Sequence, residues 1–454
     1  MPDILPPPPP PPHISNNAIT SREPGFETRQ LHAGYDLDIT SSKSRAVPIF
    51  ATTSFVFRDT DHAASVFGME TPGFAYSRMS NPTVDVFEKR IAALEGGFAA
   101  VGAASGQAAG FMAIATLADT GDNVVSSANL FGGTFIQFKY LFKKFGITFK
   151  FITDENPETY DAAVDERTKA IFVESIVNPT SKISPLPSLS KIAQKHKIPF
   201  IVDNTCGAGG YVIRPFDHGA DIIVTSATKY LGGHGTTIGG CIIDSGKFDW
   251  VASGKFPGLT EPSDPSHGIK FVDQFGQRAF TVKLRMEILR DLGATLNPFA
   301  AFLLLQGIET LSLRMQKHSE NALALARWLE KHPCVAWVLY PGLESFPSHD
   351  LAKEIMRPNV FGGILSFGVK GDPTNGKKTV DKLKLASLLS NIGDSKTLVI
   401  HPASTTHGAL SPKELSESGV TADLIRVCVG TESIEDIIGD FSQAIDTVFP
   451  HSRM

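Results

Sequence analysis

Between Asn123 and Asp244 the chain keeps repeating one alternation, a short apolar run followed by a longer amphipathic or polar stretch. The runs at Asn123-Val124-Val125, Ile147 to Ile152, Ala170 to Glu174, Ile198 to Asn204, Asp221 to Val224 and Gly239 to Asp244 have strand length. Phe131 to Phe145 and Leu189 to His196 carry helical spacing. Several strands are apolar throughout rather than alternating, the mark of a sheet covered on both faces. Strands separated by helices of this length are βαβ units. The pattern predicts an α/β fold with a mainly parallel sheet flanked by helices.

Two of these strands end in chemistry. Ile198-Pro199-Phe200-Ile201-Val202 runs into Asp203, and Asp221-Ile222-Ile223-Val224 runs into Thr225-Ser226-Ala227-Thr228-Lys229 with glycines close behind. Ligands of open α/β sheets bind at the carboxyl ends of strands, so both segments can face one cleft. A lysine amine can condense with an aldehyde, Ser226 and Thr228 can bond phosphate oxygens, and Asp203 can favour a protonated pyridine nitrogen. That is the minimum set for pyridoxal phosphate. Alone, an acid at a strand end is a turn or cap residue, and an isolated Ser-Ala-Thr-Lys is a polar turn with a solvated lysine; the pair shifts the balance. Ser105-Gly106-Gln107 opens a further helix, whose first N–H groups can cradle phosphate, although many helices begin this way and hold only water.

A length of 454 residues supports more than one folding unit. We place a disordered proline-rich tail at 1–20, an N-terminal arm at 21–80, a large domain at 81–295 and a smaller α+β domain at 296–454. A net charge of −5 gives no case for nucleic acid or an anionic membrane. Cys206, Cys241, Cys334 and Cys428 are scattered without metal spacing, which predicts buried free thiols in a reducing, cytoplasmic compartment. The start lacks a basic n-region and an apolar h-region, so no secretory signal is expected. Phe98 to Ala118 is uncharged, but its Gly, Ser, Ala and Gln content argues for a buried helix over a membrane span. A helix is expected from Pro82, with Val84, Phe87, Ile91 and Leu94 on one face and a stop at Gly96. Past Trp250, a Pro/Gly/Ser-rich stretch at 254–276 reads as a loop or lid. Helices are expected at 282–314 (broken near Asn297-Pro298), 319–332 and 433–449, and strands at 335–340, 364–369 and 424–429.

With these motifs in view, the chain from Phe26 onward resembles the Cys/Met-metabolism family of pyridoxal-phosphate enzymes, and within it the O-acetylhomoserine sulfhydrylases. The resemblance rests on Tyr-Ser-Arg-Met-Ser-Asn-Pro-Thr at 76–83, Ser-Gly-Gln-Ala-Ala at 105–109, Val-Asp-Asn-Thr at 202–205, Ser-Ala-Thr-Lys-Tyr-Leu-Gly-Gly-His-Gly at 226–235 and His-Pro-Ala-Ser-Thr-Thr-His at 401–407. It implies the fold type I of pyridoxal-phosphate transferases, with a seven-stranded sheet and a smaller C-terminal domain. It implies that Lys229 condenses with the cofactor aldehyde, Asp203 meets the ring nitrogen and Phe131 stacks on the ring. Gly106, Gln107, Ser226 and Thr228 would hold phosphate. Tyr76 and Arg78 match residues that reach phosphate from a neighbouring subunit, which implies a homodimer with shared sites and usually a tetramer. Arg426 matches the arginine that grips the amino-acid carboxylate, Asn178 lies near ring and carboxylate, and Asn391 stands where the family's lyases carry serine.

Three departures remove polar bulk: Phe131 replaces a tyrosine, Gly408-Ala409-Leu410 replaces a glutamine-leucine edge, and the loop 262–268 lacks a tyrosine before His267. The implied reaction is γ-replacement on O-acetyl-L-homoserine: acetate leaves, a vinylglycine-type species forms, and a nucleophile adds at Cγ. With sulfide the product is homocysteine. A carbon-acid acceptor in specialised metabolism is the alternative that the lost polar groups favour, and a cystathionine or methionine γ-lyase is a third reading. A dinucleotide site at Gly232-Gly233-His234-Gly235 fits poorly, because that fingerprint should open a first βαβ unit.

Overall fold

The computed structural model describes residues 23–37, 43–266, 268–408, 411, 413, 415 and 419–450. The proline-rich tail, His267 and the Ala409-Leu410 edge lie outside the described residues. Among those described, the strands in chain order are β1 (Ala99–Ala103), β2 (Asn123–Ser127), β3 (Thr148–Ile152), β4 (Thr168–Glu174), β5 (Phe200–Asp203) and β6 (Ile222–Thr225). They continue with β7 (Gly240–Asp244), β8 (Val335–Leu339), β9 (Ile364–Val369), β10 (Ser387–Leu388), β11 (Leu398–Ile400) and β12 (Ile425–Cys428). The described chain divides into two compact units. One takes the residues up to Ala118, Asp221–Thr228 and Thr237–Glu309; the other takes Asp119–Ala220, Lys229–Thr236 and the chain from Thr310. The seven strands expected for the large sheet are present, β1, β7 and β6 in the first unit and β5, β4, β2 and β3 in the second.

In the first unit β7 runs antiparallel to both β1 and β6. No helix lies between β6 and β7, and a parallel return needs a long crossover, so this strand breaks the mainly parallel expectation locally. The helix Pro82–Glu95 forms as the sequence predicts. Asn81 caps it by accepting from the Thr83 N–H, and Gly96 ends it at φ 78°. Val84, Phe87, Ile91 and Leu94 are buried. The buried Glu88 accepts from the Gly102 N–H at 2.7 Å and pairs with Arg285 at 2.6 Å, which ties this helix to β1. The uncharged stretch 98–118 is a strand, β1, followed by the helix Gly106–Leu117. It is therefore not one long buried helix, and no described helix is long and apolar enough to cross a membrane. The stretch 254–276 holds the short helices Pro257–Thr260 and Phe271–Phe275, with Ser263 and Ser266 both donating to Glu287.

In the second unit β5, β4, β2 and β3 are all parallel. The helix expected at 131–145 changes hydrogen-bond register along its length, α at Gly132–Ile136, π at Gln137–Leu141 and 3-10 at Phe142–Phe145. Its hydrophobic spacing survives that change: Phe138 stacks on Phe149 at 4.1 Å and meets Phe172 edge-on at 4.8 Å. The same unit carries a five-stranded sheet ordered β10-β11-β12-β9-β8. The helices Leu311–Lys331 and Ile434–Val448 belong to it, and Phe441 of the latter meets Phe367 of β9. All four cysteines are buried and free.

Candidate active site

Within the second unit Lys229, Asn391, Arg426, Asn178 and Phe131 are joined in one chain of hydrogen bonds that runs through Glu174. Lys229 donates from Nζ to Asn391 Oδ1 at 2.7 Å. Burial, and after it the Arg426 charge, hold the lysine amine below its ordinary pKa, which raises the neutral, nucleophilic fraction. Arg426 comes from the middle strand β12, where β9 and β11 flank it. Its Nη2 donates to the Asn391 carbonyl at 2.8 Å and its Nη1 to Asn178 Oδ1 at 3.3 Å. Its Nε is buried without a partner, and no salt bridge to it is present among the described residues. The structural ion pair that could have explained this arginine is therefore missing. A buried guanidinium lacking a counter-charge is a seat for an anion, and its fork suits a carboxylate.

The chain of contacts continues through Asn178, whose backbone N–H donates to Glu174 Oε2 at 3.2 Å, while the Phe131 N–H donates to Glu174 Oε1 at 2.6 Å. Glu174 ends β4 directly opposite Asp203, the last residue of β5. Asp203 Oδ1 accepts from the Thr205 N–H and hydroxyl at 2.9 and 2.6 Å, and Oδ2 has no protein partner among the described residues. One oxygen thus shapes a turn, and the other is left for a further partner. Burial raises the Asp203 carboxyl, and burial with Asp203 beside it pushes Glu174 up to about 8. Two neighbouring carboxyls in low dielectric call for a cation, and a protonated pyridine nitrogen is one.

His407 closes this region. It is buried, with Nε2 unpartnered, and burial together with Arg426 holds its pKa at about 4, so the ring is neutral. A Cβ built on Gly132 would stand 2.8 Å from the Thr406 carbonyl and 3.6 Å from His407 Nε2, so the loop after Phe131 abuts the 401–407 motif. Sequence reasoning quoted His407 only within a motif, and it named Glu174 only as the end of a strand. The signal for Glu174 was available: β4, like β5, is an apolar run that ends in an acid.

The first unit holds the residues expected at phosphate. Ser105 caps the helix Gly106–Leu117 by accepting from the Ala108 N–H, so Gly106 and Gln107 occupy a first turn whose N–H groups have no acceptor within the helix. A Cβ on Gly106 would lie 2.6 Å from Ser226 Cβ and 2.9 Å from its Cα. Only glycine lets the helix start meet Ser226 this closely. Thr228 is held by Gly239, its hydroxyl accepting from the Gly239 N–H at 3.0 Å. The dipole end of a helix beside a serine hydroxyl is an anion cradle, and Thr228 and Lys229 are consecutive in the chain. Tyr76 and Arg78 are exposed, with the guanidinium 5.5 Å above the tyrosine ring and donating to the Arg290 carbonyl. Neither side chain hydrogen-bonds to Gly106, Ser226 or Thr228 of its own chain.

These donor sets fit pyridoxal phosphate: an anion cradle, a lysine of lowered pKa and a carboxylate with an unused oxygen. Comparison with known proteins agrees. The chain is 56% identical over 422 residues to a homocysteine synthase of Schizosaccharomyces pombe, covering 93% of this chain and 98% of that protein. It is 49% identical over 421 residues to an O-acetyl-L-homoserine sulfhydrylase of Thermus thermophilus, covering 92% and 99%. A Campylobacter jejuni crystal structure, described as an O-acetylhomoserine (thiol)-lyase bearing pyridoxyl-lysine phosphate, superposes with a TM-score of 0.90 at 40% identity, over 93% of this chain and 99% of that one. The fold is therefore fold type I of the pyridoxal-phosphate enzymes. The model of the family described as Cys/Met metabolism PLP-dependent enzyme matches residues 27–446, which takes in every residue of both donor sets, and the chain belongs to that family.

Proposed function

We propose that this protein catalyses γ-replacement on O-acetyl-L-homoserine, with sulfide as acceptor and homocysteine and acetate as products. The observation that carries this reading is the chain-long identity to relatives named for that reaction, 56% and 49%. The site supports it in chemical terms. When bound, pyridoxal phosphate supplies an electron sink for the bonds broken at the substrate's Cα and Cβ. Arg426, with its free Nε and two anchored Nη atoms, binds the amino-acid carboxylate and fixes the substrate's orientation. Lys229 Nζ takes the Cα proton as general base and returns a proton later, a role that its lowered pKa suits. Asn391 Oδ1 holds that amine in place. Asp203 Oδ2 keeps the ring nitrogen protonated, and Gly106, Gln107, Ser226 and Thr228 bind phosphate. Neutral His407 adds no competing charge beside Arg426.

The reading extends to assembly and place: a homo-oligomer whose neighbouring arm brings Tyr76 and Arg78 to the phosphate, acting on small molecules in the cytoplasm. Phe131, lacking a hydroxyl, favours a second acceptor class, a carbon acid. An assay of the purified holoenzyme with O-acetyl-L-homoserine, offering sulfide and then β-keto compounds, separates the two by product mass. Homocysteine with equimolar acetate is expected. A carbon-linked product with no homocysteine would overturn the sulfide assignment, and keto acid with ammonia would indicate a lyase.

A further inference from the structure

Glu174 has no part in the scheme above, yet its side chain binds the backbone of two site residues, Phe131 and Asn178. It is 5% exposed, and each carboxylate oxygen is used once, by the Phe131 N–H at 2.6 Å and the Asn178 N–H at 3.2 Å. The two donors sit on different segments. Phe131 precedes the helix Gly132–Ile136, which has no side-chain cap at its start. Asn178 follows β4, and its side chain carries Arg426 through Nη1. The Ser184 hydroxyl donates to the Glu174 carbonyl at 2.7 Å and fixes the strand end itself. No salt bridge neutralises Glu174 among the described residues, so a buried carboxyl is kept beside Asp203 for its hydrogen bonds and not for ion pairing. A leucine here would remove the burial penalty and lose both anchors.

We propose that Glu174 is a positioning residue for the cofactor and the substrate carboxylate. One oxygen holds the backbone of Phe131, whose ring stacks on the cofactor, and the other holds Asn178, and through it Arg426. The inference rests on the reading of Phe131 and Arg426 given above. It adds that a single carboxylate sets both, so one substitution should loosen ring and carboxylate together.

The test compares the Glu174→Gln holoenzyme with wild type. The amide keeps one acceptor and turns an –NH2 toward a backbone donor, breaking one anchor. A changed amplitude of visible-region circular dichroism from the bound cofactor is expected. So is roughly tenfold weaker affinity in a titration of apoenzyme with pyridoxal phosphate, and a KM for O-acetyl-L-homoserine raised more than kcat is lowered. A merely structural role would lower the melting temperature and leave the dichroism and the cofactor affinity of the folded variant at their wild-type values. Glu174→Asp, which keeps the carboxyl group but is too short to reach both N–H groups, should move the dichroism the same way, and it decides the matter if the glutamine variant does not fold. Dichroism and cofactor affinity unchanged in the folded variants would overturn the proposal. The dichroism and titration need no turnover, so a wrong acceptor assignment would leave this test readable.

Discussion

Replacing Arg426 by lysine isolates the carboxylate grip. The guanidinium is anchored by Nη1 to Asn178 and by Nη2 to the Asn391 carbonyl, and its Nε has no protein partner. Lysine keeps the charge, but it has one nitrogen where the fork has three, so it cannot hold both anchors and still meet a carboxylate bidentately. Losing one charge-assisted hydrogen bond corresponds to about 1.5–3 kcal/mol, and 1.4 kcal/mol is about tenfold. KM for O-acetyl-L-homoserine should therefore rise roughly 10- to 150-fold, with kcat changed much less, because the carboxylate is bound alike in ground and transition states. Steady-state kinetics at saturating sulfide measure this, with the visible cofactor band confirming a loaded enzyme. A folded, loaded Arg426→Lys enzyme whose KM lies within threefold of wild type would refute the carboxylate assignment.

Asp440→Ala removes a 7% exposed carboxylate that accepts the backbone N–H groups of Lys384, Leu385 and Ala386 at 2.8, 2.9 and 3.0 Å. It should lower unfolding stability by about 3–5 kcal/mol in a urea titration. Gly106→Ala forces a Cβ to within 2.6 Å of Ser226, so cofactor affinity should fall at least about tenfold while the apoenzyme loses only about 1–3 kcal/mol. His318 and His407 both have pKa values lowered to about 4 by burial, from the ordinary 6.5. At these two groups the unfolded chain therefore takes up protons between about 6.5 and 4 that the folded chain refuses, so their contribution to stability is full above 6.5 and lost as pH falls toward 4. Because raised carboxyls such as Glu174 act the opposite way over this window, urea midpoints at stepped pH should show the fall as the difference between wild type and a His318→Gln variant, and a difference that does not change with pH would contradict the buried, neutral state of that ring.

Much of the candidate site was legible because strand ends advertise themselves. Asp203 and Lys229 each follow a wholly apolar run, and β9 falls at the predicted 364–369. Arg426, a charge inside an apolar strand, was as plain. What hid was of three kinds. Direction hid: Gly240–Asp244 looks like its neighbours, and only the missing crossover helix makes it antiparallel. Register hid: the π turns at 137–141 and 284–289 keep helical spacing while shifting the hydrogen bonds. Smallness hid β1, whose Ala-Ala-Val-Gly-Ala lacks the β-branched bulk of a typical strand, and β10 and β11 are too short to show a period. Glu174 ends an apolar run as plainly as Asp203 does, but its bond to the Phe131 N–H, 43 residues away, is one that no local pattern encodes.

The covalent role of Lys229 can be read directly. Borohydride reduction of the purified holoenzyme, followed by protease digestion and peptide mass mapping, should find a phosphopyridoxyl group on the peptide that contains Lys229 and on no other. Label on a different lysine, or none on a protein that retains its visible cofactor band, would contradict the chemistry assigned to this site.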